Sequence, residues 1–262
     1  MPSVHSTLYT AYTLLTLPAR LVTWWLYYIP KSNRPNSAWS WKTAVTLQVV
    51  ILLIRYRTAI RLPLDADKTF PAAVQDGITA YIYTIETLQI PPSQIVLSGE
   101  SAGGNLILAM LRYITTENQA IPLPRCALLW SPWVDMTIKA LLEMDQHRNY
   151  KSDYIEYDFG SWGASSYFPP DWSDSNPYLS PLGSEYRLSV PLFIEVGTSE
   201  VLYDNIVLFA HNMREKGTEV ELREATNGVH ATFGIADTLG MSEVAIDGHA
   251  RGARFNARTG GD

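Results

Sequence analysis

A chain of 262 residues, 47% apolar and 18% charged, has the size and make-up of one globular domain with a sizeable core. Its net charge of −6 excludes the basic surface by which nucleic-acid binders meet phosphate. The single cysteine, Cys126, excludes an internal disulfide, and no N-x-S/T acceptor, zinc-ligand spacing or phosphate loop occurs, so nothing marks the chain as secretory.

The charge is unevenly spread. Arg20, Lys31, Arg34, Lys42, Arg55, Arg57 and Arg61 precede the first acid, Asp65, so the first 64 residues carry +7 and the remainder −13. Residues 1–60 read as an apolar, basic, helical segment. Within it Leu8–Pro18 and Leu21–Pro30 run into aromatic and then basic residues, as membrane-interface anchors do. Pro18 and Arg20 oppose a spanning helix, and Met1–Thr7 lacks the positive start of a cleaved signal. A helix packed over the domain is the expectation, with peripheral membrane contact the alternative. The run Val49–Ile54 suits a buried strand and a buried helix equally.

Residues 61–240 read as the main domain. A helix opens at Phe70-Pro71, where the missing N–H of proline costs nothing, and runs to about Leu88. There follow a strand at Ile95–Ser98, a helix at Ala102–Thr116, strands at Ala127–Ser131 and Leu192–Val196, a helix at about Asp204–Lys216 and a strand at Glu219–Arg223. Such alternation predicts a parallel sheet with helices on both faces. Cys126, in an apolar run, reads as a small buried hydrophobe. Residues 135–189, rich in Trp, Tyr, Ser, Asp and Pro, read as an insertion over the carboxyl edge of the sheet, where open α/β sheets bind ligands. Its Trp162, Tyr167, Phe168 and Trp172 are expected to line an apolar acyl pocket. The polar tail 241–262 is expected to be poorly ordered.

The most telling segment is Gln94–Leu106, in which a β-rich run meets Gly99-Glu100-Ser101-Ala102-Gly103 and then an amphipathic helix. G-x-S-x-G in that setting is a nucleophile elbow: a sharp strand-to-helix turn that lifts the serine hydroxyl above the sheet, with the flanking glycines expected to remove Cβ clashes. Ser101 is therefore the candidate nucleophile. A serine needs a base in contact and a third group to orient that base. Of His5, His147, His211, His230 and His249, only His230 directly follows a late predicted strand, through Thr226-Asn227-Gly228-Val229. For the acid, the loop after Leu192–Gly197 offers Glu200 and Asp204. Glu200 stands nearer the strand end and is preferred, since Asp204 suits a helix N-terminus, where the dipole favours a negative charge. The Ala102 N–H is the candidate oxyanion donor. The order Ser101, Glu200, His230 is that of α/β-hydrolases.

The chain resembles the hormone-sensitive-lipase-like branch of the α/β-hydrolase fold, and most of all fungal members found among secondary-metabolite genes. The resemblance rests on Phe70-Pro71-Ala72-Ala73, Gly99–Gly104, Trp130–Asp135, Asn176–Leu182, Glu200–Asp204 and His230, and covers roughly residues 60–235. It implies a mostly parallel sheet with helices on both faces, and hydrolysis of a small-molecule carboxylic ester through an acyl-enzyme. No metal or organic cofactor is implied. The family's acid position falls on Glu200, where aspartate is commoner. The family also carries an upstream H-G-G-G loop that supplies half of the oxyanion hole. Here no glycine precedes Gly77, and Ile54–Arg57 runs almost straight into Arg61-Leu62-Pro63, so the amino-terminal side of the sheet reads as abridged. That departure motivates a second reading, an impaired pseudo-hydrolase that binds a small apolar ligand or a partner. Thr259–Asp262 does not resemble a peroxisomal tripeptide, which makes cytoplasmic placement the expectation.

Overall fold

A computed structural model of the protein describes residues 69–169 and 173–260. The 1–60 segment with its membrane reading, the Val49–Ile54 run, the apparent gap before Arg61, and Trp172 lie outside the described residues. Among the described residues no helix is long and apolar enough to cross a membrane.

The framework is helix α1 (Ala72–Glu86), strand β1 (Val96–Glu100), helix α2 (Ala102–Thr116) and strand β2 (Cys126–Trp130), then short helix α3 (Ile138–Glu143) and helix α4 (Tyr157–Tyr167). It continues with strand β3 (Leu192–Gly197), helix α5 (Tyr203–Glu215), strand β4 (Val220–Ala225) and helices α6 (Thr232–Leu239) and α7 (Ser242–Thr259). The elements expected outside the insertion and the tail lie within two residues of their predicted positions. The four strands pair in parallel in the order β1-β2-β3-β4, with Val96 opposite Cys126, Ala127 opposite Leu192, and Leu192 opposite Val220.

Two-residue periodicity sorts the strand side chains onto two faces. Leu97, Ala127, Leu129, Leu192, Ile194, Val196 and Leu222 join one core with Ile107, Leu108 and Leu111 of α2 and Ile206, Phe209, Ala210 and Met213 of α5. On the opposite face Val96, Cys126, Leu128, Trp130 and Phe193 pack against Phe233 of α6 and Phe255 of α7. Cys126 is fully buried, and burial pushes its thiol up, which suits a small hydrophobe and not a nucleophile. Nine of the fifteen residues of α2 are buried, because this helix is covered by α1 on one side and by β1 and β2 on the other.

The tail expected to be poorly ordered is instead the 18-residue helix α7, with Ala245, Gly248, Gly252 and Phe255 buried on one face. Three of those four are small, so the sequence shows little apolar periodicity. Their smallness serves close approach: a Cβ on Gly248 would come within 2.2 Å of the Glu195 carboxylate. That carboxylate, on β3, pairs with Arg223 of β4, which reaches Asp247 of α7 at 3.1 Å. Burial raises the pKa of Glu195 even beside the guanidinium. Removing Arg223 would strand a buried carboxylate, and breaking comparable pairs costs about 3–5 kcal/mol.

The insertion also differs from its sequence reading by containing helices. Helix α4 (YDFGSWGASSY) has weak intrinsic propensity, with two glycines and three serines. Packing supplies what propensity lacks, through α3 and buried Gly160, Ala164 and Ser166. Tyr167 and Phe168, expected to line an acyl pocket, pack instead against the core around α1, where Tyr167 meets Phe70 edge-on at 5.9 Å.

Candidate active site

Ser101 occupies the turn between β1 and α2 with φ 52° and ψ −116°, backbone that an L-residue adopts only under constraint and at a cost of about 1–3 kcal/mol. Three hydrogen bonds hold it there. Its N–H donates to the Trp130 carbonyl at 2.9 Å, and its carbonyl accepts from the N–H groups of Asn105 and Trp133, each at 3.1 Å. Gly99 is required, since a Cβ there would come within 2.5 Å of the Gly103 carbonyl oxygen. Gly103, expected to relieve the same crowding, would place its Cβ in open space; Gly104 is the second tight position, 2.8 Å from Pro132. Buried Asn105 then donates to the carbonyls of Trp133 and Leu179 at 2.9 and 2.8 Å, fastening the Trp130–Asp135 and Asn176–Leu182 segments to the elbow. Ala102 opens α2, so its N–H has no intrahelical partner and stands at the positive end of the helix dipole.

His230, in the loop after β4, places Nε2 2.9 Å from Ser101 Oγ across 129 residues of sequence. It is buried, and Tyr154 meets its ring edge-on at 6.1 Å. Glu200 is fully buried in the loop after β3, with Oε2 3.9 Å from His230 Nδ1. The structure thus brings Ser101 and His230 into hydrogen-bond contact and leaves Glu200 about 1 Å short of the imidazole. Glu200 Oε2 instead accepts from the Ser131 hydroxyl at 2.6 Å, while among the described residues Glu200 Oε1 and His230 Nδ1 have no hydrogen-bond partner. Burial disfavours charge on both groups. It pushes the Glu200 carboxyl up to about 8, against the lowering influence of Ser131, and it holds His230 well below the usual imidazole range. A neutral imidazole on the serine hydroxyl is the protonation state that can accept a proton.

The competing residues are engaged elsewhere. Asp204 sits in the first turn of α5, where Arg148 forks onto both its oxygens at 2.6 and 2.7 Å and His147 contacts it at 3.0 Å, which holds its pKa below the ordinary carboxylate value. His211 pairs with Glu215 on α5, and His249 stands edge-on to Trp130 and Phe233. His5 lies outside the described residues. Among the described residues no cluster of His, Cys, Asp or Glu could hold a metal ion.

The family described as alpha/beta hydrolase fold matches residues 24–234. The chain belongs to that family. Among relatives of this hydrolase-fold chain, an acetyl-hydrolase of Streptomyces hygroscopicus is 28% identical over 211 residues, covering 80% of this chain and 66% of its own. An esterase of Fusarium pseudograminearum is 25% identical over 171 residues, covering 63% and 52%. An esterase from the bacterial hormone-sensitive lipase family superposes with a TM-score of 0.62 at 27% identity, over 74% of this chain and 62% of that one. The chain therefore spans about half to two thirds of the length of these curated relatives.

Three hydrolase-fold residues that the sequence reading missed hold the loops of Glu200 and His230 in place. Asp153 Oδ1 accepts from the His230 N–H at 3.2 Å and its Oδ2 from the Val201 N–H at 2.8 Å. Asn149 Nδ2 donates to the carbonyls of Thr198 and Glu200 at 3.0 and 2.9 Å, and Ser152 Oγ donates to that of Ser199 at 3.0 Å. One stretch of the insertion thus binds the acid loop and the histidine loop together. The only local signal is polar side chains in a segment without periodicity, which reads equally as an ordinary surface loop. Asp153→Ala leaves three N–H groups, those of Tyr154, Val201 and His230, without their acceptor, so stability should fall by about 1–3 kcal/mol. Loosened placement of His230 and Glu200 should lower kcat by about 10- to 100-fold with KM little changed, as steady-state kinetics beside a thermal melt would show.

Glu100, next to Ser101 in the chain, is partly buried, and among the described residues its Oε1 has no hydrogen-bond partner. Burial pushes its carboxyl from 4.5 up to about 7, against the lowering influence of the Gly234 N–H. Between those values the folded chain keeps a proton that the unfolded chain has lost, so stability falls as pH rises from about 4.5 to 7, by on the order of 3 kcal/mol. Glu100→Gln should remove that share. Urea unfolding at pH 5 and pH 8 should differ less for the variant than for the parent, and an unchanged difference would refute the assignment.

Proposed function

We propose that the chain is a serine hydrolase of carboxylic esters. The observation that carries this reading is the 2.9 Å contact between His230 Nε2 and Ser101 Oγ on a strained strand-to-helix turn. Ser101 Oγ attacks the acyl carbon while His230 takes its proton. The Ala102 N–H stabilises the developing oxyanion, and His230 returns the proton to the leaving alcohol. Water, deprotonated by His230, then releases the acid and frees Ser101. Glu200, in its ionised form, closes on the Nδ1–H and stabilises the imidazolium as it forms. Similarity to an acetyl-hydrolase and to esterases supports the reaction class.

With no H-G-G-G segment in the sequence, Ala102 is the oxyanion donor this proposal names. Loss of one such donor costs about 10²–10³ in turnover, so a slow enzyme is expected. A place in fungal secondary metabolism is the finer part of the proposal and rests on the motif set alone. Cytoplasmic placement, with peripheral membrane contact through residues 1–60 as the alternative, is tested by carbonate extraction of a membrane fraction.

The deciding experiment is labelling by a serine-reactive fluorophosphonate. The parent chain should label and Ser101→Ala should not. Equal labelling of the two, or ligand binding with no acyl-enzyme detectable, would favour the pseudo-hydrolase reading instead.

A further inference from the structure

Tyr154, Glu156, Asp158, Phe159 and Trp162 line an open cavity of about 430 Å³ at the start of α4. Among the described residues its wall combines three aromatic rings with two carboxylates and has no lysine, arginine or histidine. Phe159 and Trp162 lie one helical turn apart with ring centroids 6.0 Å apart, and about half of each ring's residue is exposed. Tyr154 joins the cavity to the catalytic centre, since its ring meets the His230 imidazole edge-on. Its neighbour Asp153 holds the His230 backbone.

We propose that this cavity is a subsite for an organic ammonium group, so that the preferred substrates are esters carrying an alkylated amine. The proposal rests on the ester-hydrolase reading of Ser101 and His230. Aromatic faces are electronegative and attract a cation within about 6 Å of the ring centre. Alkylammonium groups also present apolar surface, which suits exposed rings. Carboxylates at the rim add a favourable field. An uncharged alkyl group would use the rings and gain nothing from Glu156 and Asp158, and an anionic group would be repelled. The dipole of α4 accounts for tolerance of two acids at its N-terminus. It does not account for their sharing a cavity with three half-exposed rings.

The test compares the butyrate ester of choline with 3,3-dimethylbutyl butyrate, its uncharged isostere. The parent should favour the cationic ester in kcat/KM by roughly tenfold. That ratio should collapse towards one in Glu156→Gln/Asp158→Asn and shrink in Trp162→Leu. Hydrolysis of both esters with the uncharged one equal or better would overturn the subsite while leaving the hydrolase reading intact. A second measurement does not need turnover: calorimetric titration of the Ser101→Ala chain with benzyltrimethylammonium. Saturable binding that weakens in Ser101→Ala/Trp162→Leu supports the subsite even if no ester is cleaved, and absence of saturable binding overturns it.

Discussion

Ser101→Ala is expected to lower kcat for ester hydrolysis by about 10⁶, to the level left by binding and the remaining donor. No other group can substitute. In the proposed reaction the hydroxyl at this point is both the acyl acceptor and the partner of His230 Nε2, and with it gone the imidazole has nothing to deprotonate within 2.9 Å. Residual catalysis should be smaller than in hydrolases with a full oxyanion hole, because that residue is supplied largely by the donors. The fold should be almost unaffected. Alanine keeps the Cβ and so keeps the backbone strain at φ 52°, whereas Ser101→Gly should relieve it. Single-turnover kinetics with a chromogenic butyrate ester, beside melting curves of both variants, would separate loss of chemistry from loss of structure. Retention of more than about one part in 10³ of parental kcat by Ser101→Ala would exclude this serine as the nucleophile.

The second large effect concerns the acid. Glu200→Gln should lower kcat by about 10⁴ with little change in KM, because the amide fills the same space and can keep the Ser131 hydrogen bond but cannot become negative. The imidazolium formed as Ser101 attacks would then be left in a buried site without a counter-charge. Stability should move the other way. The folded pKa of Glu200 is raised from 4.5 to about 8, so the folded chain holds a proton that the unfolded chain releases above its ordinary pKa. That lowers parental stability progressively as pH rises from about 4.5 to 8, and Glu200→Gln is free of this loss. A variant that is nearly inactive yet melts higher than its parent at pH 8 is the expected signature. Near-normal kcat in Glu200→Gln would reduce Glu200 to a packing group and return attention to the other carboxylate bonded to the histidine loop, Asp153.

Glu200 Oε2 stands 3.9 Å from His230 Nδ1 and rests on the Ser131 hydroxyl. Ser131 also accepts from the Ala231 N–H at 3.2 Å, so the hydroxyl that holds the acid is itself tied to the histidine loop. Closing the last ångström is a short movement within a site already assembled.

Several parts of the molecule were legible in its residues alone. The strands and the helices α1, α2 and α5 declare themselves by local periodicity, and the elbow by the coincidence of G-x-S-x-G with a strand-to-helix junction. The position of His230 after the last strand, and of Glu200 before Asp204, followed from chain order, because parallel strands deliver all their carboxyl ends to one edge. Other parts had no local signature. Helix α7 uses small residues for contact, so its buried face does not look apolar until the sheet it covers is present. Helix α4 is held by packing against α3 and not by propensity, and Tyr167 and Phe168 turn to the core because α1 lies beside them.

By itself, then, the sequence determined which chemistry is available: a strained serine, a histidine one strand-end away and a carboxylate in the loop between, set on a parallel sheet. Only the tertiary structure decided how those groups stand to one another. It put the imidazole on the hydroxyl, left the buried carboxyl on Ser131, and used Asn149, Ser152 and Asp153 of the insertion to lace both loops together. The division has one physical reason. Periodicity and turn chemistry act between near neighbours in the chain, whereas burial, which sets both the contacts and the charge states of this site, is a property of segments far apart that meet only on folding.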